Sequence, residues 1–439
     1  MKKILFAITL FTALGAQAQD TARLLTLEEA VALALRQNYD IRLSRNDSLL
    51  AALDYSYSKY AFFPRLNGQA TYLRNRNNQQ QTLADGTKRQ QSGISSSNLQ
   101  YGVNLNWTLF DGFKMFVTRE RLGELVDLGE LQIRAQVVTT VADVLRNYFD
   151  IARVQQQQQA TNEAMALSQE RLKLAQYRFD IGTGIKSDVL QAQIDLNGQR
   201  AALLSQQNAL KNLQEQLNRQ LTLVPGTSYR VQDSIPVNPA LRLDSVQLAL
   251  EAGNPQLLLN QKQIDIAELV VKERKAERFP TVGFTSAYNF NRTNNNTVIN
   301  NFSPLFNQNQ GFNYGLTATI PIFNGFVARR NIRAAELDVR NLELQYESNK
   351  ALVGTGIMTA YQNYELARQT LQLEESNIAL IRENLVIARE RYRLGLSTFL
   401  ELRTAEQNLY DGQSRLIQAR FNMKAAEIEL GRLRGDIIR

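Results

Sequence analysis

The sequence repeats one set of motifs along its 439 residues. Each half contains an aromatic-proline pair, a Phe-x-Gly-Phe motif and a glycine between two long helical patterns. The matched positions are Phe63-Pro64 with Phe279-Pro280, Phe110–Phe113 with Phe323–Phe326, and Gly182 with Gly395. The first match is 216 residues apart and the others 213, so a segment of variable length lies between Pro64 and Phe110. This self-similarity predicts a tandem duplication, with a first structural repeat over 19–230 and a second over 231–439.

Apolar and polar residues alternate in two segments of each half. We predict strands near 64–75, 98–110, 280–292 and 311–323. On the clearest two, the apolar positions are Tyr101, Val103, Leu105 and Trp107, and Phe312, Tyr314 and Leu316, with Asn, Gln, Gly and Thr between them. A period of two with one apolar face predicts a sheet whose other face contacts water. The polar segments 75–98 and 292–310 are predicted to be long loops.

Two interpretations of this sheet are open. In a soluble sandwich the apolar face packs on a second sheet, but only four strands are predicted and the rest of the chain is helical. In an outer-membrane barrel the apolar face contacts lipid and aromatic residues lie at the interfaces, which predicts Tyr101, Trp107, Phe284 and Tyr314 as lipid-facing. Four strands cannot close a barrel, and unpaired backbone groups are costly in lipid. We therefore infer a homo-oligomer of at least three subunits.

Helical patterns occupy most of the remaining chain. We predict a helical hairpin over 114–222 with its tip near Gly182, and a second over 326–434 with its tip near Gly395. The returning helices carry a heptad, Val189, Leu196, Leu203, Leu210 and Leu217 in the first and Leu402, Leu409, Leu416, Met423 and Leu430 in the second. A second seam of small residues predicts close helix approach in a closed helical wall. The alternative interpretation is a periplasmic structural or tethering coiled coil.

Composition excludes several classes of function. The chain has no Cys and no His, which removes thiolate chemistry, the commonest metal ligand and the Ser-His triad. The acidic residues fall mostly on helical surface positions, so we predict no enzymatic activity, no metal and no cofactor. The net charge of +8 is scattered rather than gathered in a basic patch with aromatic residues. No nucleic-acid partner is therefore predicted.

The first 18 residues have the pattern of an export signal. Lys2 and Lys3 precede an apolar run over 4–14, and Ala16-Gln17-Ala18 fits a cleavage site. An apolar run of this length is too short for an anchor helix. We predict a signal peptide over 1–18 and an exported mature chain.

The two hairpin tips share a glycine followed by Ser or Thr. Gly182 and Gly184 lie in the first tip and Gly395 in the second. We expect a glycine to end one helix in a left-handed cap and Ser or Thr to cap the next helix.

Taken together, the paired tips, the Phe-Asp-Gly-Phe and Phe-Asn-Gly-Phe motifs and the repeat resemble the TolC family of outer-membrane efflux proteins, also called outer-membrane factors. The resemblance implies an α+β membrane protein: a trimeric, 12-stranded transmembrane β-barrel, four strands per chain, continuous with a long periplasmic α-helical coiled-coil barrel. It implies an exit duct in the outer membrane of a Gram-negative bacterium, serving tripartite efflux or type I secretion. The implied partners are an inner-membrane transporter and a periplasmic adaptor (membrane fusion) protein that docks on Gly182, Gly184 and Gly395.

The same resemblance implies gate residues at the tips. Ser187 and Asp188 stand where the family has a Thr-Asp pair, and Tyr392 stands at its latch tyrosine. Ser397 occupies the latch-arginine position, for which Arg391 or Arg393 would substitute. Glu401 stands at one acidic ring of the entrance.

The residues themselves allow a structural role for these positions. Thr398 and Glu401 fit a helix-capping box, and Asp188 fits the first turn of a helix. The transported substrate, whether drug, metal or protein, stays open.

Overall fold

The computed structural model describes residues 23–243, 253–299 and 304–437. The predicted signal peptide lies outside these residues. The described strands are β1 (Arg23–Leu25), β2 (Arg65–Thr82), β3 (Lys88–Phe110), β4 (Tyr229–Val231), β5 (Thr281–Asn295) and β6 (Phe306–Thr319). The described helices are α1 (Leu27–Gln37), α2 (Tyr39–Ser58), α3 (Lys114–Asp180), α4 (Lys186–Leu221), α5 (Pro255–Ala276), α6 (Val327–Arg393) and α7 (Phe399–Arg434), with a short 3₁₀ turn at Lys59–Phe62. The chain is mostly helical, with one larger sheet.

Two compact units make up the fold. The hairpin unit consists of the described residues of 1–41, 137–250 and 355–439. The sheet unit consists of the described residues of 42–136 and 251–354.

A four-stranded antiparallel sheet forms the centre of the sheet unit, in the order β2-β3-β5-β6. Trp107 Nε1 donates to the Phe62 carbonyl at 2.8 Å, which ties β3 to the turn before β2. The edge strands of this sheet are β2 and β6.

The strands reach further into polar sequence than their alternation predicts. Most of the predicted loop 75–98 pairs as strand, since β2 continues to Thr82 and β3 begins at Lys88. Only 83–87 remain as a turn, with Gly86 at a φ of +84°. Both faces are polar there, so ladder hydrogen bonds rather than an apolar face hold the pairing. At the other end β6 stops at Thr319, two residues before Pro321, which lacks the N–H that a ladder needs.

Two helical hairpins form most of the hairpin unit. The outgoing helices α3 and α6 each have 67 residues, and the returning helices α4 and α7 each have 36. Heptad positions are largely buried, among them Leu196, Leu217, Leu402, Met423 and Leu430. No helix in the described ranges combines the length and apolar character that crossing a bilayer requires.

A small parallel pair of strands stabilises the hairpin unit at one side. β1 pairs with β4, and the buried Tyr148 hydroxyl of α3 donates to the Leu25 carbonyl at 2.9 Å. The same hydroxyl accepts from the Gln232 N–H at 3.1 Å. Burial raises the pKa of Tyr148, so its proton stays in place for this double contact. The tyrosine thus connects β1 to the segment after α4.

The Phe-x-Gly-Phe motifs build the two corners that lead from a strand into a long helix. Gly112 and Phe113 have φ of +74° and +69°, and Gly325 and Phe326 have φ of +61° and +62°. In each corner the two phenylalanine rings pack edge to face, at 5.2 Å and 5.5 Å. Left-handed backbone at a phenylalanine is uncommon. The motif is therefore present in both halves because each corner makes the same unusual turn.

The two corner glycines differ in their surroundings, which gives a matched test. A Cβ on Gly112 would lie 2.5 Å from the Ala276 carbonyl oxygen, whereas one on Gly325 meets nothing within 4 Å. Gly325→Ala should cost about 1–2 kcal/mol of unfolding free energy, from the left-handed backbone alone. Gly112→Ala should lose roughly 1–3 kcal/mol more, from overlap.

Fluorescence of Trp107, the single tryptophan of the chain, reports unfolding of the sheet unit in urea. Equal losses of unfolding free energy in the two variants would show that the close approach at Gly112 does not affect stability.

Candidate functional site

The strand register gathers the predicted aromatic residues on one face of the sheet. Tyr101 lies opposite Phe290, and their rings stack at 4.4 Å and 16°. Trp107 lies opposite Phe284, and Phe284 lies opposite Leu316 on β6. Directly opposed residues share a face, so a single apolar face runs across all four strands.

Much of this apolar face is open to the surroundings in the single chain. Tyr314, Leu316 and Phe312 on β6 are 74%, 70% and 67% exposed. A contiguous apolar surface of this kind marks a lipid or protein contact rather than an ordinary wet surface. Ser286 is a polar residue on this face, and its Oγ donates to the Asn313 carbonyl at 3.0 Å.

The opposite face of the sheet is polar and uncharged over most of its length. Asn104 lies opposite Asn67 and Ala287, and Asn106 lies opposite Arg65 and Thr285. Thr317 lies opposite Gly283. Amide and hydroxyl groups of this kind suit contact with water.

The hairpin tips form the second candidate site, and their turns have the same geometry. Gly182 and Gly395 have φ of +76° and +79°. The Thr183 N–H donates to the Arg178 carbonyl at 2.9 Å, and the Leu396 N–H donates to the Arg391 carbonyl at 2.8 Å. Bonds that span five residues behind a left-handed glycine define a Schellman cap. Both outgoing helices therefore end in the same way.

The starts of the two returning helices differ. Thr398 caps α7 as expected, because its Oγ1 accepts from the Glu401 N–H at 3.2 Å. The expected Ser or Thr cap of α4 is wrong: its N-cap is Ile185, whose side chain makes no capping bond. The reason is that Ser187 already lies inside the helix. Gly184, in the turn before α4, has a different role: the chain passes so close to Arg178 that a Cβ on Gly184 would lie 2.9 Å from Arg178 Cβ.

Three of the four predicted gate residues line one groove at the tips. Ser187, Asp188 and Tyr392 surround a space of about 620 Å³, together with Ser397 and Arg403. Glu401 is not among the residues that line it. The Ser397 Oγ is buried and has no hydrogen-bond partner within the described chain.

Arg178 is the cation that contacts Tyr392, and the sequence did not single it out. Its guanidinium lies 4.3 Å from the centre of the Tyr392 ring and donates to the Tyr392 carbonyl at 2.6 Å. Arg391 instead donates to the Leu396 carbonyl, and Arg393 pairs with Glu390. Burial raises the pKa of Tyr392, and the Asp188 charge adds to this against the opposing effect of Arg178.

An ion cluster around the buried Arg171 lies near the groove and joins three helices. Arg171 of α3 pairs with Asp195 of α4 at 2.8 Å and with Glu406 of α7 at 2.7 Å. Arg403 of α7 binds both oxygens of Asp195, at 2.8 Å and 3.1 Å. Burial raises the pKa of Asp195, but the hydrogen bonds from Arg403 and Gln191 outweigh it, so the net shift is downward.

Glu406 behaves in the opposite way. Burial raises its pKa to about 7, although Arg171 and Arg389 act against the shift. Arg171 is already shared with Asp195, so its charge only partly offsets the desolvation of Glu406. The cluster therefore gains or loses a proton near neutral pH.

This shift predicts a pH dependence of hairpin stability. The folded chain binds more protons than the unfolded chain between about pH 4.5 and pH 7, so unfolding free energy should fall as pH rises through that window. The loss should reach about 3 kcal/mol per chain and level off above it. Thermal unfolding of purified protein, followed by circular dichroism across this pH range, measures the effect.

Glu406→Gln should flatten the dependence. Glu401→Gln, at an exposed position of the same helix, should leave it as in the parent. A slope that survives in Glu406→Gln would assign the titration to another group.

Acidic residues do not cluster as metal ligands do: within the described ranges, no group of three or more His, Cys, Asp or Glu side chains could hold a metal ion.

Comparison with known proteins gives one consistent result. A family model described as "Outer membrane efflux protein" matches residues 30–222 and 246–436. The outer membrane efflux protein BepC of Brucella suis biovar 1 is 23% identical over 424 residues, covering 94% of this chain and 86% of BepC. The alkaline protease secretion protein AprF of Pseudomonas aeruginosa is 22% identical, covering 92% and 84%.

Among solved structures, the CmeC outer membrane channel of Campylobacter jejuni superposes with a TM-score of 0.75 at 17% identity. The match covers 94% of this chain and 86% of CmeC. At this level of identity, the likeness establishes a shared fold.

Proposed function

This chain belongs to the outer membrane efflux protein family, and we propose that it is a passive exit duct of a tripartite efflux or type I secretion system. It acts in the outer membrane of a Gram-negative bacterium. An inner-membrane transporter supplies the energy and a periplasmic adaptor hands over the substrate. The duct itself catalyses no reaction. The observation that carries this proposal is the continuous apolar face that the strand register builds across four strands.

We propose a homotrimer with a 12-stranded barrel. The free edges of β2 and β6 cannot face lipid, because unpaired backbone groups there cost several kcal/mol each. Two copies give eight strands, whose interior is filled by side chains, whereas three copies leave an open lumen. Two apolar residues that follow the end of β6, Ile322 and Phe323, are 94% and 74% exposed, which supports a neighbouring chain at this side.

We propose that the two halves arose by tandem duplication, with repeats over 19–230 and 231–439. Equal helix lengths in the two hairpins support it. The two left-handed Gly-Phe corners and the two Schellman tips support it further.

In this duct the polar face of the sheet lines the lumen. Asn104, Asn106, Thr317 and Thr319 would present amides and hydroxyls to the passing solute. Such a lining offers water-like contacts and weak selectivity. Tyr101, Trp107, Phe284 and Tyr314 would then face lipid.

The adaptor docks on the hairpin tips in this proposal, around Gly182, Gly184 and Gly395. Apolar residues beside these glycines support a protein contact, since Ile181, Leu394 and Leu396 are 53%, 67% and 66% exposed. The glycines bring helix ends and short loops to the surface without bulky side chains.

Ser187, Asp188 and Tyr392 form the gate in this proposal, and Arg178 holds Tyr392 in position. Glu401, in the first turn of α7, would form an acidic ring. Loosening these contacts should widen the entrance. Asp188→Ala with Tyr392→Phe, and separately Arg178→Ala, should raise single-channel conductance in planar bilayers several-fold.

Arg393→Ala removes an exposed cation whose only described ion pair is with Glu390, and conductance should stay at the parental level. Parental conductance in both gate variants would remove these residues from the gate.

Two measurements, the conditions of extraction from membranes and the mass of the extracted protein, distinguish the duct from a periplasmic tethering coiled coil. The duct requires detergent for release from membranes and a protein mass of three chains in the detergent complex, measured by light scattering. A coiled-coil tether would instead be released in buffer. A water-soluble single chain would contradict both the duct and its barrel.

A further inference from the structure

Charge is distributed unevenly in the large sheet. Its four strands contain no Asp or Glu among their described residues, and the nearest acidic residue in the β2–β3 turn is Asp85. The cationic residues on these strands are Arg65, Arg74, Arg76, Lys88, Arg89 and Arg292. The sheet therefore carries positive charge that no carboxylate within it neutralises.

Three of these arginines lie on the apolar face. Arg74 and Arg76 continue the alternation of Tyr72 along β2, so they share its face. Arg292 lies opposite Leu99, which in turn lies opposite Tyr72. Tyr72 and Leu99 belong to the apolar face, and Arg292 therefore stands at its border.

Within the described residues, no carboxylate pairs with any of these three arginines. Arg74, Arg76 and Arg292 are exposed, and within the described residues none of them forms an ion pair. Arg292 instead lies over the Phe306 ring at 5.4 Å, which fixes the cation beside an aromatic residue. Exposed guanidinium groups at an apolar border are free to bind an anion.

The height of the arginines matches a membrane interface. Leu99 and Trp107, near the two borders of this face, are eight residues apart, or about 27 Å along the strand at ~3.4 Å per residue. At the ~40° tilt of membrane barrels this gives about 21 Å, within the ~25 Å apolar band of such barrels. Each further pair of residues adds about 5 Å, so Arg74 and Arg76 fall within the headgroup layer.

Only one border of the apolar face carries cations. At the other border, where β3 leads into α3, the positions on this face are Trp107 and Phe284. Arg65 is near that border but lies opposite Asn106, on the polar face. The charged border is therefore the one next to the β2–β3 turn, far along the strands from the joins to the helices.

We propose that Arg74, Arg76 and Arg292 form a binding site for the phosphate groups of anionic lipids in the outer leaflet. This rests on the proposed function, which sets the apolar face against lipid and the β2–β3 turn on the outer side. Guanidinium groups bind phosphate oxygens in a two-point fork. Arg74 and Arg76 are about 7 Å apart along one strand, and Arg292 lies two strands away, about 10 Å to the side.

The apolar surroundings favour a lipid over free phosphate. The arginines lie on an exposed face rather than in an enclosed cavity, so little holds a small anion in place. Tyr72, Leu99 and Phe306 lie beside them and would contact acyl chains or the glycerol region. A ligand with both a phosphate and an apolar body uses both parts of the surface.

Binding of phosphatidic acid to the purified detergent-solubilised protein tests the proposal, with native mass spectrometry to count bound lipids. Arg74→Gln with Arg76→Gln should weaken binding at least about tenfold, because each cation near a membrane surface contributes to anionic lipid attraction. The matched control is Arg65→Gln with Arg89→Gln, which removes the same charge from polar-face positions. It should bind as the parent does.

Two further ligands distinguish a site for a lipid phosphate from a site for free inorganic phosphate. Diacylglycerol with the same acyl chains should bind the parent and the arginine variant equally weakly. Excess inorganic phosphate should leave bound phosphatidic acid in place; its displacement would indicate a site for free phosphate and overturn the lipid assignment. If both double variants lose phosphatidic acid binding to the same extent, the effect comes from net charge alone, and the proposed site is wrong.

Planar-bilayer conductance separates this inference from the proposed function. A parent and variants that all conduct, with equal lipid binding, would reject the lipid site and keep the duct. A parent that inserts into no bilayer would reject the duct and the lipid site with it.

Discussion

The register of the four-stranded sheet is the constraint on which the rest of the structure depends. A slip of one residue in any pair would send apolar side chains to the polar face. The stacked Tyr101–Phe290 pair and the tight turn at Gly86 hold this register at two places. Once it is set, one side of the sheet is apolar and both edges stay open. These two properties support the proposed duct built from several copies of the chain.

The hairpins solve a different problem, which is to keep long helices in fixed register with each other. Leucine and small residues fill most of the seam, but an ion cluster interrupts it, formed by Arg171, Asp195, Arg403 and Glu406. Taking a charged group such as the buried Arg171 out of water is expensive, so such a cluster adds little net stability compared with apolar packing. Its value lies in alignment, because the forked contacts of Arg403 with Asp195 form only in one arrangement of the helices.

How far the sequence predicts the fold depends on which force holds each part. The family was predicted and is confirmed, because motifs such as Phe-Asn-Gly-Phe carry a backbone requirement that can be read locally. The outer parts of β2 and β3 were predicted as loop because both of their faces are polar and no alternation marks them. Arg178 was missed because its contact with Tyr392 joins residues 214 positions apart. A hint was present, since an arginine precedes an aromatic residue in both tips.

The two tips have one backbone design, but their equivalent arginines make different contacts. Each tip has an arginine followed by an aromatic residue, Arg178-Phe179 in one and Arg391-Tyr392 in the other. Arg178 contacts Tyr392 of the other tip, whereas Arg391 donates to the Leu396 carbonyl of its own tip. The contact places a cation from one hairpin against an aromatic ring from the other. Both groups belong to one chain, so the gate proposed around Tyr392 would not need a second subunit to form this contact.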